Sequence, residues 1–327
     1  MDPLSQILDY WKEFRCFVLL AHIRPDGDAV GSLFGLAQLL AANGKKGHIL
    51  LPDGLPERFS WLTSPWPVCT SLAHKQKTCF VALDCADQNR LGIGRPATDG
   101  HLLEDNLVNI DHHTGNSFFG TLNWVNPKIS SVGEMIALTA RRLNTPLGGP
   151  LAEALYLAIM SDTGSLSYSN TSPQTLDIVS EILTSGLDMN AFQAKMQRQW
   201  GLEKLHLHGR AMQNVSLRRQ GKIGIIRVTQ DMLAQTGASS EDCDGLVDYV
   251  RCLRGVVIAV SLRESDEGIK FSLRTWGEVD VQGIAARLGG GGHPNAAGGI
   301  LAGGMDKAEQ RILQAATPHL AEMCPAS

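Results

Sequence analysis

The sequence predicts an α/β protein in which a doubly wound, mostly parallel sheet is followed by a smaller mixed α/β domain. Short apolar runs that are typical of buried strands alternate with longer helical segments, and this alternation predicts βαβ units. Acidic and imidazole side chains follow four of the apolar segments. Because ligands of open α/β sheets bind beyond the carboxyl ends of the strands, these side chains indicate a site at that edge.

The elements of the first domain follow from apolar periodicity and from helix start and stop signals. Asn43-Gly44 ends the second helix, and Ser131-Val-Gly-Glu134 fits a capping box at the start of the third. The predicted strands are 16–21, 47–51, 78–83, 106–110 and 121–125. The predicted helices are 5–15, 29–43, 131–143, 151–161, 174–185 and 189–199.

A chain of 327 residues is long enough to form two domains. We expect a first domain at 1–199, a linker helix at 200–214 and a second domain at 215–327. The second domain has predicted strands at 214–219, 222–228, 255–263 and 268–275, and predicted helices at 241–253 and 280–287. A glycine-rich loop follows the last of these helices.

The composition limits the class of function. A protein that holds long nucleic acid by its phosphates needs a basic surface, whereas this chain has a net charge of −4. We therefore expect short phosphorylated substrates. The seven cysteines are odd in number and form no C-x-x-C pair, which suits free thiols in a reducing cytoplasm. No signal peptide and no apolar run of membrane-spanning length is evident, so we expect a cytoplasmic protein without membrane association.

The run Asp111-His112-His113, at the end of an apolar stretch, is the most informative motif of the chain. A carboxylate–imidazole cluster at a strand end is costly unless something binds it, and a metal ion is the commonest binder. Such a run also occurs by chance, so it gains its meaning from the other acidic sites.

Three further places supply carboxylates. His22, Asp26 and Asp28 follow the first strand, Asp84 follows the third, and Asp162 follows an apolar helix. So many acids at one edge would raise one another's pKa values, and two divalent cations would remove that repulsion. Oxygen and imidazole donors without thiolate suit Mn²⁺ or Mg²⁺. The residues therefore predict a two-metal hydrolase.

In order and spacing, these motifs resemble the four metal-binding motifs of the DHH phosphoesterase superfamily. The segment Gly289-Gly-Gly-Gly-His293-Pro-Asn-Ala-Ala-Gly298 resembles the signature of the associated DHHA1 domain. The resemblance covers nearly the whole chain and is nearest to the stand-alone, RecJ-like proteins that act as nanoRNases and 3′-phosphoadenosine-5′-phosphate phosphatases.

The resemblance implies a ligand set for two Mn²⁺ ions, with Mg²⁺ or another divalent cation as an alternative. Its members divide between one cation (His22, Asp26), the other cation (Asp28, His112, Asp162) and both cations (Asp84). The alternative from the residues alone is an acidic turn in which Asp28 caps the next helix.

Asp111 and His113 have different expected roles. Asp111 is expected to orient an imidazole, as carboxylates beside ligating histidines do. His113 is expected to contact the phosphate or to protonate the leaving oxygen, with a structural histidine as the alternative. Asp87 is either a further ligand or an acid at the start of a turn or helix.

The second domain supplies the predicted substrate-binding residues. Consecutive glycines expose backbone N–H groups to an anion, and nearby polar side chains can then reach a phosphate or a base, although a flexible loop is the alternative. The candidates in this segment are Gly290, Gly291, Gly292, His293 and Asn295.

Three other residues are candidates for phosphate binding. The resemblance places a substrate-contacting arginine at Arg274, and Arg263 on the neighbouring strand is a second candidate. A planar guanidinium suits bidentate phosphate binding, whereas surface salt bridging is the alternative for both. Free N–H groups of the helix that begins at Ser131 could hold a phosphate, or Ser131 is a cap and nothing more.

Residues and resemblance together imply a manganese-dependent phosphoesterase that hydrolyses short oligoribonucleotides to 5′-mononucleotides, 3′-phosphoadenosine 5′-phosphate to AMP, or both. The alternative within the enzyme class is hydrolysis of cyclic or linear dinucleotide messengers (cyclic di-AMP, pApA, pGpG). The glycine signature disfavours a manganese pyrophosphatase, and the filled ligand positions disfavour a non-catalytic nucleotide sensor. A homodimer is compatible with the sequence, which does not show one.

Overall fold

The computed structural model describes residues 2–72, 77–92, 106–198, 200–277 and 279–321. The chain divides into two compact units, Met1–Gln199 and Trp200–Ser327. Within the described ranges, no helix is long and apolar enough to cross a membrane.

The first unit contains a six-stranded parallel sheet with the strand order β3-β2-β1-β4-β5-β6. The chain runs outward from β1 to β3 and then returns to place β4 on the other side of β1. The switch point between β1 and β4 is where open α/β sheets bind ligands. The strands are β1 Cys16–Leu20, β2 Lys46–Leu50, β3 Val68–Cys69, β4 Thr78–Leu83, β5 Leu107–Asp111 and β6 Leu122–Val125.

Six helices belong to the first unit in the described ranges: α1 Pro3–Trp11, α2 Gly27–Ala42, α3 Val132–Arg142, α4 Gly149–Asp162, α5 Pro173–Thr184 and α6 Met189–Gln197. α2 is apolar on nearly all sides because it packs against both α4 and the sheet. Gly31 permits a close helix crossing, since a Cβ there would lie 2.5 Å from the carbonyl oxygen of Ala154. This crossing brings the end of α4, and with it Asp162, beside the start of α2.

The predicted fold class is confirmed, and the predicted elements of the first unit are present with shifted ends. The alternative in which Asp28 caps α2 is wrong. Asp26 is the N-cap of α2, and its carboxylate accepts a hydrogen bond from the Ala29 N–H at 3.1 Å. Asp28 lies in the first turn of α2. The two-residue strand β3 was not predicted, because so short a run has no measurable periodicity.

The second unit contains a mixed sheet with the strand order β11-β12-β10-β9-β8-β7. β8 and β9 are parallel and the other neighbours are antiparallel. The strands are β7 Ser216–Arg218, β8 Ile223–Val228, β9 Ile258–Ser265, β10 Gly268–Arg274, β11 Gly291–His293 and β12 Ala296–Leu301. The helices are α7 Leu202–Gln213, α8 Gln230–Thr236, α9 Leu246–Arg251, α10 Val281–Arg287 and α11 Met305–Ala321.

The prediction of a loop in the glycine-rich segment is wrong. β11 and β12 form an antiparallel pair at the edge of the sheet. The close approach of the backbones requires the glycines, since a Cβ at Gly290 would lie 2.2 Å from the carbonyl oxygen of Gly298. A Cβ at Gly292 would lie 2.5 Å from the carbonyl oxygen of Ala296. Glycine and alanine have low strand propensity, which explains why the pattern suggested a loop.

Candidate active site

The centre of the site is Asp84, directly after β4 at the switch point of the sheet. Its side chain is buried, and its N–H donates a hydrogen bond to the Ile110 carbonyl at 3.1 Å. Its backbone has φ 54°, in the left-handed region that residues other than glycine rarely adopt. Such backbone strain persists where the surrounding structure imposes it, often at functional sites.

The carboxylate of Asp84 faces two different groups. Its Oδ2 lies 3.7 Å from Nε2 of His22, and that nitrogen lies 4.0 Å from Oδ1 of Asp26. Its Oδ1 lies 3.6 Å from Nε2 of His112 on the opposite side. One carboxylate is therefore shared between two clusters of potential ligands.

The second cluster gathers around His112. Its Nε2 lies 3.7 Å from Oδ2 of Asp28 and 3.0 Å from Oδ2 of Asp162. One ligand atom from each of Asp28, Asp84 and His112 lies within 4.8 Å of the others, and the same holds for the group of His22, Asp26 and Asp84. The structure thus brings the predicted ligands together, and their division between two cations stays a prediction.

The donor set fits divalent cations. Oδ1 of Asp84 is buried and accepts no hydrogen bond from the residues that the structure describes. Burial and the charges of Asp84 and Asp162 raise the pKa of Asp28 well above its ordinary value. Burial also raises the pKa of Asp162 to about 6, although a hydrogen bond from His112 opposes this. Two cations would compensate the carboxylates that are crowded here.

The two histidines at the centre are oriented by backbone carbonyls. Nδ1 of His22 lies 2.8 Å from the Ile23 carbonyl oxygen, and Nδ1 of His112 lies 3.2 Å from that of Ile129. A carbonyl that accepts the Nδ1 hydrogen directs Nε2 toward the carboxylates, as is usual for histidines that bind metals.

Asp28 is held by the start of α3. Its Oδ2 accepts a hydrogen bond from the Val132 N–H at 2.7 Å, and its Oδ1 accepts one from the Gly133 N–H at 2.9 Å. The hydroxyl of Ser131 accepts the Glu134 N–H, so Ser131 is the predicted helix cap. The two N–H groups that we expected to be available for a phosphate donate to Asp28 instead, and a phosphate contact of Ser131 stays a prediction.

Asp111 orients His113. Its Oδ1 lies 2.7 Å from Nδ1 of His113, and its Oδ2 accepts a hydrogen bond from the side-chain amide of Asn116 at 2.6 Å. Although burial works in the other direction, the hydrogen bond to Asp111 raises the pKa of His113. This imidazole is only partly buried, and its raised pKa favours the protonated form that a proton donor needs.

Asn116 was not identified from the sequence. The same amide nitrogen also lies 3.2 Å from the carbonyl oxygen of Cys85 and 2.8 Å from Oδ1 of Asn109. An asparagine three residues after the histidine pair is a weak signal in one sequence. The structure agrees with one of the two interpretations of Asp87, an acid at the start of a turn. Its carboxylate accepts a hydrogen bond from the Asn89 N–H at 2.9 Å.

We expect Asn116→Ala to lower kcat by about tenfold to a hundredfold, the usual effect of removing a group that orients a functional side chain. KM and cation affinity should stay near the wild-type values, because Asn116 contacts Asp111 and not the cluster around His112. Steady-state kinetics with Asn123→Ala as a matched control would test this. An unchanged kcat would show that Asn116 does not help to orient Asp111 and His113 for the reaction.

Arg274 and His293 lie on the same face of the sheet of the second unit. Ala296 on β12 pairs with Arg274 on β10 and with His293 on β11. Side chains of directly paired residues lie on the same face, so Arg274 and His293 flank the small side chain of Ala296. The other face carries the buried Phe271 and Leu273. A partly buried guanidinium and imidazole on one face are suited to bind a phosphate.

The other predicted residues of this unit differ in their contacts. The Gly290 N–H donates to the Ala285 carbonyl at 2.8 Å, and the Asn295 carbonyl accepts the Thr275 N–H at 3.1 Å. A Cβ at Gly291 would meet nothing within 4 Å, so packing does not explain the glycine there. Arg263 donates a hydrogen bond to the Ser240 carbonyl, and its contact with a substrate stays a prediction.

Comparison with known proteins agrees with this geometry. The DHH family, N-terminal domain, matches residues 16–159, and the DHHA1 domain matches residues 222–322. The chain therefore belongs to the DHH family and is a phosphoesterase, a hydrolase that acts on phosphate esters.

The chain is similar to two bifunctional enzymes over most of its length and of theirs. It is 31% identical, over 98% of each chain, to the bifunctional oligoribonuclease and PAP phosphatase NrnA of Thermus thermophilus. It is 30% identical to the protein of the same description from Bacillus subtilis, over 88% of this chain and 90% of that one. The structure of an exopolyphosphatase-related protein from Bacteroides fragilis superposes with a TM-score of 0.87, at 25% identity and over 97% of this chain and 96% of that one.

Proposed function

We propose that this chain is a manganese-dependent phosphoesterase that releases 5′-mononucleotides from short oligoribonucleotides and converts 3′-phosphoadenosine 5′-phosphate to AMP. The observation that carries the proposal is the Asp84 carboxylate, whose two oxygens face two separate ligand groups. The activities named for the Thermus and Bacillus relatives support the substrate class.

Each part of the site has a proposed role. His22 and Asp26 hold one cation, and Asp84 is shared. Asp28, His112 and Asp162 hold the other. When bound, a cation pair neutralises phosphate oxygens and lowers the pKa of water. His113, oriented by Asp111, protonates the departing ribose oxygen, for which its raised pKa is suited.

The second unit is proposed to bind the substrate. Arg274 and His293 contact a phosphate, and Gly291 leaves room for it beside the backbone. A contact of Gly292 or Asn295 with the substrate belongs to the same proposal. The net charge of −4 disfavours a long strand, since long nucleic acids are held through many phosphate contacts.

We expect Arg274→Ala to raise KM by about tenfold to a hundredfold, because a charge-assisted hydrogen bond to phosphate contributes about 1.5–3 kcal/mol. Arg263→Ala should raise KM much less, because Arg263 pairs with Lys270 and is not joined through Ala296 to His293, as Arg274 is. Initial rates over a range of concentrations of 3′-phosphoadenosine 5′-phosphate (pAp) would compare the two variants. A larger effect of Arg263→Ala would reverse the assignment.

The proposed function is tested by mononucleotide release from 5′-labelled RNA of two to twenty-four nucleotides, with pAp and cyclic di-AMP as parallel substrates. Each reaction is run with Mn²⁺, with Mg²⁺ and with a chelator. Asp84→Ala should be inactive in each reaction. Asp87→Ala is its matched control, because Asp87 is an acid three residues from Asp84 whose carboxylate caps a turn.

Preferential hydrolysis of two- to five-mers together with pAp would support the proposal. Hydrolysis of cyclic di-AMP alone would support the dinucleotide-messenger alternative, which the same ligand groups can serve. Nucleotide binding without hydrolysis under any cation would contradict both and would favour the sensor.

A further inference from the structure

The segment that connects β6 to α3 contacts two ligands of the same proposed cation site. The carbonyl oxygen of Ile129 lies 3.2 Å from Nδ1 of His112. Three and four residues further on, at the start of α3, the N–H groups of Val132 and Gly133 donate to the two carboxylate oxygens of Asp28. A shift of this short segment would therefore move an imidazole and a carboxylate together.

The same segment is linked to the third ligand of that site. The side-chain amide of Asn170 donates to the Ser130 carbonyl oxygen at 3.2 Å and to the Asp162 carbonyl oxygen at 3.0 Å. Asp162 ends α4, so this amide joins the end of the helix to the segment. Among the described residues, no hydrogen bond joins residues 129–133 to His22 or Asp26, the proposed ligands of the other cation.

Glu134 fixes the segment from behind. Its side chain is 1% exposed, and its Oε2 accepts hydrogen bonds from the hydroxyls of Ser130 at 2.5 Å and of Thr175 at 2.8 Å. Its Oε1 accepts a hydrogen bond from the side-chain amide of Gln174 at 2.7 Å. A buried carboxylate needs such donors, and here they come from the segment and from the first turn of α5.

We propose that Glu134 is a positioning residue for one of the two cation sites, the one formed by Asp28, His112 and Asp162. It acts through Ser130, which it anchors to the start of α5. This inference rests on the proposed function, because it assumes that the two ligand groups bind cations. It adds an asymmetry, since the His22 and Asp26 site does not depend on Glu134.

The test is a titration of the full-length protein with Mn²⁺. Calorimetry measures the affinity of each binding step, and electron paramagnetic resonance shows whether the bound ions form a coupled pair. Wild-type protein is expected to bind two Mn²⁺ ions and to show the spectrum of a coupled pair. Glu134→Ala is expected to weaken one binding step by about tenfold to a hundredfold, as losses of groups that orient metal ligands do, and to leave the other step unchanged. Its spectrum should be that of an isolated Mn²⁺ ion at intermediate concentrations.

Two further variants separate positioning from folding. Ser130→Ala removes the hydroxyl that Glu134 holds and should weaken the same step, with a smaller effect because the backbone contacts remain. Glu134→Gln should recover most of the affinity, because an amide oxygen can still accept from Ser130 and Thr175 while the amide nitrogen donates to a reoriented Gln174. Thr139→Val is the matched control, since Thr139 is a buried polar residue of α3 that bonds only to its own helix.

The outcomes are distinct. Equal weakening of both steps in Glu134→Ala, or wild-type binding by a folded Glu134→Ala and Ser130→Ala, would overturn the inference and leave the proposed function intact. Failure of wild-type protein to bind Mn²⁺ at all would overturn both.

Discussion

Replacement of Asp84 by alanine is expected to abolish hydrolysis of every substrate and to disrupt both cation sites. The reason is the shared position of its carboxylate, which lies 3.7 Å from His22 and 3.6 Å from His112 through different oxygens. Loss of stabilisation by both cations corresponds to about 4 kcal/mol or more of the activation barrier, which is about a thousandfold in rate.

The Asp84→Asn variant separates the loss of the carboxylate charge from the effect of backbone strain on stability. Asp84 has φ 54°, a conformation that asparagine tolerates better than alanine does. Asp84→Asn should therefore fold as well as wild type and still lose activity, whereas Asp84→Ala should also lose some stability. Thermal unfolding and initial rates would be measured for both, with Asp87→Ala alongside. An Asp84→Asn variant with more than a tenth of wild-type activity would place the chemistry elsewhere.

Removal of divalent cations is expected to have the second-largest effect. A chelator should abolish activity, and Mn²⁺ should restore it. Because a ligand that binds only the folded state stabilises it, Mn²⁺ at a hundred times its dissociation constant should add about 2.7 kcal/mol per site to the free energy of unfolding. Differential scanning calorimetry with and without Mn²⁺ would show a shift that Asp84→Asn lacks. Full activity after exhaustive chelation would contradict the two-cation site.

The cation effect should depend on pH in a defined direction. Burial lowers the pKa of His22, but the hydrogen bond and charge of Asp84 outweigh it and raise this pKa to about 9 in the cation-free protein. The protonated imidazole therefore stabilises the cation-free fold below pH 6.5, and this contribution is lost as the pH rises through 9. Because a cation needs the neutral imidazole, its affinity should increase over the same range.

Thermal shifts on Mn²⁺ addition, measured from pH 6.5 to pH 9, would test this dependence. The shift should grow with pH in wild type, and His22→Asn should reduce that growth. His206→Asn is the control, because His206 is exposed on α7 in the second unit. A shift that shrinks as the pH rises would contradict the assignment of His22 as a ligand.

Much of the fold and of the cation site is readable from local patterns. The strands β1, β4 and β5 are mainly apolar runs, and the acids and histidines follow at or just after their ends. Since parallel strands end at one edge, the position of each residue along the chain already implies that His22, Asp84 and His112 meet. The strands β11 and β12 were missed because their glycines and alanines permit close backbone packing but have low strand propensity.

Contacts between distant segments were not readable in this way. The local pattern offered a helix cap as the alternative role of Asp28, but its carboxylate is bound by N–H groups about a hundred residues later in the chain. Asn116 gave no signal as a single polar residue. Glu134 was read as part of a capping box, but its carboxylate accepts hydrogen bonds from the side chains of Ser130, Gln174 and Thr175. The pairing of Arg274 and His293 across Ala296 depends on strand register, which the sequence pattern of the edge did not specify.

The sequence by itself determined the fold class, the family and which residue types gather at the edge of the first sheet, because apolar periodicity and motif spacing are properties of neighbouring residues. The tertiary structure decided which N–H groups hold Asp28, which backbone carbonyls orient His22 and His112, and which side-chain amide holds Asp111. These depend on atoms of the folded chain meeting at about 3 Å, the distance over which a hydrogen bond forms.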